Sequence, residues 1–324
     1  MKLMPSYFSP ILFIMILSIV FSCEEDPDVI NFRDVGQWKT YNTSNGLKDN
    51  FIWAVKQDRN GIIWVGTNDG GVSRYDGHGW TNYSTKNGLL SNCVYAIEQD
   101  VFGAIWFGTD SGLNYMSNNI IYSIEGGIVA FSMYSDSRSQ LWIGTDAGII
   151  RANAQKWDYY HHDSLDYNTI YCIMEDNEKR IWFATEGGAM FFNGSSFVMA
   201  DEIMNINPDN ISCILQDSWG ALWFSSAFEK YLIRYDIKRS TTELVSLLNG
   251  SSFSFVMSMV EDRNRNIWFS TYGDGIVKYN GAEMQSFKVG QGLTDNHVYC
   301  SMMDREGNLW FGTRYGGINV YITE

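Results

Sequence analysis

A chain of 324 residues that is 45% apolar and 15% aromatic carries enough hydrophobic side chains for a large core, which excludes an intrinsically disordered protein. Its 37 acidic residues outnumber 23 basic ones, for a net charge of −14. Nucleic acid and anionic lipid headgroups both need a basic face, so neither is expected as a partner.

From the N-terminus, Lys2 precedes an apolar run over residues 11–21, the pattern of an export signal and too short to span a bilayer. Val20, Phe21, Ser22 and Cys23 resemble the bacterial lipobox, with Phe21 larger than the usual residue there, which implies a lipid on Cys23. The acidic tract Glu24, Glu25, Asp26 resembles the one behind the lipidated Cys in surface lipoproteins of Bacteroidetes-like bacteria. An ordinary secretory signal followed by a solvated linker is the alternative. The expected organisation is a signal peptide at 1–22, an acidic linker at 23–36 and one domain at 37–324, in an exported lipoprotein of the outer membrane that touches the membrane through its lipid anchor only.

From residue 37 a pattern recurs: IIWVGT at 62, then WFGT at 106, WIGT at 142, WFAT at 182, WFSS at 223, WFST at 268 and WFGT at 310. The marker residues Trp64, Trp106, Trp142, Trp182, Trp223, Trp268 and Trp310 are 42, 36, 40, 41, 45 and 42 residues apart. Six residues before each lies an acid: Asp58, Asp100, Asp136, Asp176, Asp217, Asp262 and Asp304. Each unit reads as four strands: a run such as VYAIEQD at 94, a D-x-x-G turn, a return strand holding the Trp, a third strand as in GVSRY at 71 and a fourth as in WTNYS at 80. Seven such units predict an all-β, seven-bladed β-propeller of four-stranded antiparallel blades. The chain opens with a fourth-strand sequence, QWKTYN at 37, and stops after a third, GINVYITE at 317. The N-terminal strand is therefore expected to complete the last blade, residues 38–41 pairing beside 318–322.

Four residues before each Asp the side chain is small (Ala54, Ala96, Ser132, Cys172, Cys213, Ser258, Cys300), which suggests that only small side chains fit around the axis. Cys172, Cys213 and Cys300 then read as reduced packing residues, with a Cys172–Cys213 bridge as the alternative. Cys93 is off this register. The marker Trp reads as inter-blade core or as a binding platform, and the Asp ring as turn caps or as metal ligands.

G-L-x-x-N at 46–50, 88–92 and 292–296 falls on the same face as the T-x-x-G turns, where the channel mouth offers a concave site. The loops there differ between units: Phe228, Glu229 and Lys230 in the fifth, Tyr272 and Asp274 in the sixth, His297, Arg314 and Tyr315 in the seventh. Rings beside charged and amide groups suit sugars, whose C–H faces stack while their hydroxyls bond, so these eight residues are the candidate ligand site, for a glycan or a protein partner. The loop residues Asn50, Asn92, Asn168, Asn210 and Asn296 read as turn formers or as part of that site. His161 and His162 read as surface. No nucleophile motif occurs and WFGTDSG lacks the Lys of a phosphate loop, so no catalytic residue, cofactor or metal is expected.

The pattern N-G-L-x-x-N-x-V-x-x-I-x-x-D-x-x-G-x-I-W-x-G-T-x-x-G-G, as in residues 87–112, resembles the two-component regulator propeller repeat. The resemblance covers about residues 37–324; units three and five depart from it, at Gly126 and Gly127 and at Ser225 and Ser226. It implies an extracytoplasmic sensor of the kind found in hybrid two-component systems, many of which respond to oligosaccharides, here without the second propeller, sandwich and kinase of that plan. The enzymatic alternative is a streptogramin lyase, also a seven-bladed propeller, to which WFATEGG at 182 is somewhat similar; of the His and acidic groups such enzymes use around magnesium, His297 alone is suitably placed. A structural scaffold in an outer-membrane complex is the third reading.

Overall fold

In a computed structural model, residues 36–125, 127–153, 155–160, 169–204, 210–226, 231–246 and 255–323 are described. The export signal, Cys23, His161, His162, Asn168, Phe228, Glu229 and Lys230 lie outside them. The described residues form seven four-stranded antiparallel sheets, plus a 3-10 turn Thr85–Asn87 and a four-residue helix Asp201–Met204. In the first blade the strands run Ile52–Gln57, Ile63–Thr67, Val72–Tyr75 and Trp80–Tyr83 from the axis outward. The inner strands of the others are Val94–Gln99, Ala130–Ser135, Ile170–Glu175, Ile211–Gln216, Val256–Glu261 and Val298–Met303.

Six blades meander because a turn follows every three to six strand residues, and in all seven the turn between the first two strands is built by the repeated Asp. Asp58 Oδ1 accepts the N–H of Asn60 (2.8 Å) and of Ile62 (3.0 Å), while Oδ2 accepts the indole N–H of Trp64 at 2.9 Å. The same Asp–Trp bond recurs in all seven blades at 2.7–2.9 Å. Both carboxylate oxygens are thus committed to the turn and the core, the capping role foreseen for the Asp ring. At the fourth position of the turn, Gly61, Gly103, Gly220 and Gly307 take positive φ, and Ser139, Lys179 and Arg265 adopt the same conformation without being glycine.

The core lies between blades, since a sheet buried on both faces must bury each against a neighbour. Trp64 and Val72 of blade one, for example, pack with Val94, Ile97, Ile105 and Phe107 of blade two. Six marker Trp residues are buried; Trp106 is half-buried beside Trp157 and Tyr115. On the turn face a Gln or Glu side chain also bridges blades. Arg59, Ser137, Asn177, Ser218 and Arg305 each donate a backbone N–H to Gln99, Glu175, Gln216, Glu261 and Gln57 of the next blade, all at 2.8 Å.

The ring closes as the sequence predicts. Gln37–Tyr41 pairs antiparallel with Ile318–Ile322, Trp38 opposite Tyr321 and Tyr41 opposite Ile318, as the outer strand of the last blade. Trp38 fills the seam, its ring 5.1 Å from Tyr321 and 5.8 Å from Phe287. Cys93, Cys172, Cys213 and Cys300 are free thiols, so the Cys172–Cys213 bridge is not formed.

Candidate functional site

The channel mouth is shaped by one irregularity repeated seven times. In blade one Ile52 faces Thr67 and Ala54 faces Gly66, so Trp53 between them has no ladder partner. The same bulge falls at Tyr95, Phe131, Tyr171, Ser212, Met257 and Tyr299. A bulge re-aims the extra side chain, here into the channel, where these seven residues with Asn210 and Phe255 line an open cavity of about 470 Å³. The expectation that only small side chains fit around the axis is therefore corrected at the mouth, while Ala54, Ala96, Ser132, Cys172, Cys213, Ser258 and Cys300 do all line the axial channel. The small residues come one position later and pack into the wall, Ser132 Oγ donating to the Ile170 carbonyl at 3.0 Å and Cys213 Sγ to that of Val256 at 3.8 Å. The mouth itself takes aromatic rings in five of seven blades.

Those rings touch in sequence. Trp53 meets Tyr95 edge-on at 5.2 Å, Tyr299 at 4.9 Å and, stacked, Phe51 at 4.7 Å; Tyr95 meets Phe131 at 5.2 Å. On the other side Tyr299 contacts Tyr272, which stacks on Phe255 at 5.1 Å and takes His297 edge-on at 5.1 Å. Trp53 is oriented by its indole N–H, which donates to Asn68 Oδ1 at 3.2 Å.

Above the bulges, the residue after the repeated Thr forms a rim. Its backbone N–H bonds the carbonyl just ahead of the inner strand, as Asn68 does to Phe51, Asp146 to Val129, Tyr272 to Phe255 and Arg314 to His297. The rim reads Asn68, Asp110, Asp146, Glu186, then Tyr272 and Arg314 in blades six and seven. Its charge reaches the rings. Burial raises the Tyr171 hydroxyl, with Glu186 adding to it; burial also raises Tyr95, with Cys93 and Asp110 contributing; and burial, reinforced by Tyr272, pushes Tyr299 up to about 12. The phenols of the mouth are hydrogen-bond donors at neutral pH.

Of the residues the sequence proposes, the structure brings Tyr272, His297 and Arg314 together. Arg314 Nη1 donates to the Tyr272 hydroxyl at 3.1 Å and its guanidinium lies over Phe51 and Tyr315. Asp295 holds His297 through Nδ1 at 3.0 Å and receives the Tyr315 N–H at 2.7 Å, leaving the Tyr315 side chain 63% exposed. Asp274 accepts from Lys288 Nζ at 3.3 Å. Asn50, Asn92 and Asn296 form turns, each taking with Oδ1 the N–H seven residues earlier, whereas Asn210 lines the cavity. Trp53, Tyr95, Phe131, Tyr171, Tyr299, Phe51 and Phe255 were not foreseen. The signal for the first five was aromatics at one register, five residues before the Asp; Phe51 and Phe255, seven before it, lie off that register. Among the described residues no three His, Cys, Asp or Glu side chains converge as metal ligands.

The model of the two component regulator propeller matches residues 46–69, 88–111, 164–187, 205–228, 250–273 and 292–315. The third blade, whose entry loop is shortened, falls outside it, while the fifth matches despite its altered G-T. In sequence the chain is similar to Histidine kinase P4 of Formosa agariphila, 26% identical over 174 residues, 48% of this chain and 12% of that kinase. In structure it is similar to the extracellular domain of the hybrid two component system BT3049 of B. thetaiotaomicron, with TM-score 0.76 and 22% identity over 89% of this chain and 41% of that one. The chain thus spans less than half the length of these two relatives. Virginiamycin B lyase of Staphylococcus aureus also shares the fold, with TM-score 0.69 and 13% identity over 88% of this chain and 98% of the lyase.

Proposed function

We propose that this chain, which carries two-component regulator propeller repeats on a seven-bladed ring, is a non-catalytic extracytoplasmic sensor module that binds a glycan at its channel mouth. On this reading it is exported and held at the outer membrane by a lipid on Cys23. The observation that carries the proposal is the bulge ring, which lines the cavity with aromatic rings in five of seven blades. Flat apolar faces next to phenol donors suit pyranose rings, which present C–H groups on one face and hydroxyls at the edge. The likeness to extracellular parts of two-component systems supports a sensing role.

Isothermal titration of the purified chain against neutral, amino and uronic oligosaccharides tests this. Binding of one class that weakens at least tenfold in Trp53→Ala and in Tyr299→Ala supports a glycan site at the mouth. Binding that both variants leave intact places the ligand elsewhere. Should no sugar bind while the mouth retains a protein from membrane extracts, the partner reading replaces the glycan one. Magnesium-dependent opening of a streptogramin B lactone would overturn the non-catalytic assignment.

A further inference from the structure

We propose that the glycan held at the mouth carries free amino groups, bound as ammonium: an oligomer of amino sugar rather than a neutral or acidic one. The inference rests on the glycan reading above and narrows its chemistry.

Three features of the mouth converge on a cation. First, among the described residues the cavity wall carries aromatic rings and no positive charge: Trp53, Tyr95, Phe131, Tyr171, Phe255 and Tyr299 share it with neutral Ser212, Asn210 and Met257. The negative face of an aromatic ring attracts an ammonium within about 6 Å, and six rings line this one cavity.

Second, the rim directly above those rings is acidic over three consecutive blades. Asp110, Asp146 and Glu186 occupy equivalent positions and are exposed. They sit beside the bulges, since the backbone N–H groups of Asp146 and Glu186 bond the Val129 and Thr169 carbonyls two residues before Phe131 and Tyr171. The ion pairs of the described residues leave all three out. Asp146 takes the Val129 N–H at 3.1 Å and Asp110 the Ser111 hydroxyl at 2.8 Å, contacts that leave both charges in place. An anionic sugar entering past this arc meets like charge within a Debye length of about 8–10 Å, whereas an ammonium is drawn in.

Third, the one cation at the same rim position among the described residues, Arg314, is across the ring in blade seven and already engaged. It donates to the Tyr272 hydroxyl and lies over Phe51 and Tyr315. The mouth is therefore polarised, with an acidic half over Tyr95, Phe131 and Tyr171, and the protein's net charge of −14 adds to the pull on a cation at low salt.

The test compares a β-1,4 glucosamine tetramer with its fully N-acetylated counterpart, which keeps the same rings and linkage but has no charge. Each exposed carboxylate is expected to contribute a factor of about two to five, so the amine should bind about tenfold or more tightly at low salt. That advantage should shrink in 0.5 M NaCl and fall to about twofold in Asp110→Asn/Asp146→Asn/Glu186→Gln, with Trp53→Ala weakening both sugars. Because Asp146 also bonds Val129, the triple variant is checked by thermal melting, and Glu186→Gln alone serves if it unfolds.

If the acetylated tetramer binds as tightly as the amine, or the rim variants keep the preference, the amino-sugar inference is wrong and the glycan reading stands. Binding of the amine that Trp53→Ala leaves unchanged also overturns it, as adsorption to an acidic surface. If no neutral, amino or uronic oligosaccharide binds, both fall.

Discussion

The indole N–H of Trp142 donates to Asp136 Oδ2 at 2.8 Å, while Oδ1 of the same carboxylate takes the N–H groups of Arg138 and Gln140 at 2.9 and 2.8 Å. One buried side chain thus satisfies three donors and ties a turn to the Trp that seals the inter-blade core. Asp136→Ala strands all three and is expected to cost roughly 3–5 kcal/mol in urea unfolding. Asp136→Asn keeps an acceptor for the turn but turns an N–H₂ toward the indole N–H, and should cost about 1–3 kcal/mol. Equal costs for the two variants would show that the bond to Trp142 contributes nothing.

At the seam of the ring, Gly292 has φ of +115°, and a Cβ there would lie 2.2 Å from the Trp38 ring. Gly292→Ala suffers both backbone strain and a collision, whereas in Trp38→Ala/Gly292→Ala only the strain remains. Trp38→Ala alone should cost about 3 kcal/mol through lost packing. The double variant is expected to be more stable than the two single costs predict, by about 1–2 kcal/mol. Additive costs would mean that the indole swings away freely.

Ser139 holds φ of +66° at a turn position that four other blades fill with glycine. A Cβ in the left-handed region costs about 1–2 kcal/mol, partly offset by the greater freedom glycine has when unfolded. Ser139→Gly should therefore stabilise the protein by about 0.5–1 kcal/mol, read as a raised urea midpoint at unchanged slope.

Burial pushes the Cys300 thiol up to about 12, against an ordinary value of 9.0. Between those limits the unfolded chain has released a proton that the folded one keeps, so folding stability falls as pH rises from about 9 to 12. The slope for one such group is at most about 1.4 kcal/mol per pH unit, with no contribution at neutral pH. Urea titrations from pH 7 to 10.5 should show this decline in the wild type and a shallower one in Cys300→Ala. Parallel curves would show that the thiol is accessible and titrates normally.

Much of the ring was legible because its determinants are periodic. An Asp six residues before a Trp reports a turn plus the bond that spans it, and a fourth-strand sequence at residue 37 reports closure against 318–322. The mouth was harder to read. Strict alternation assigns Trp53 and Tyr95 to a sheet face, and nothing in the flanking residues announces that the ladder skips them. The position is also filled by Trp, Tyr, Phe, Tyr, Ser, Met and Tyr in turn, which looks like variation unless the seven units are aligned on the Asp. Arg314 and Tyr272 were found because they stand in the loops after the repeated Thr, where the units differ from one another. The clasp of Gln57 on Arg305 joins residues 248 apart, a pairing that only the closed ring creates.

The residue at each bulge has no ladder partner across the sheet, so its identity is decoupled from strand register. Trp53 can become another residue without displacing Ile52 or Ala54 from their partners Thr67 and Gly66. The scaffold thus behaves as a socket whose seven bulge side chains answer to their neighbours around the mouth, as Trp53 does to Tyr95 and Tyr299, and not to pairing within the blade.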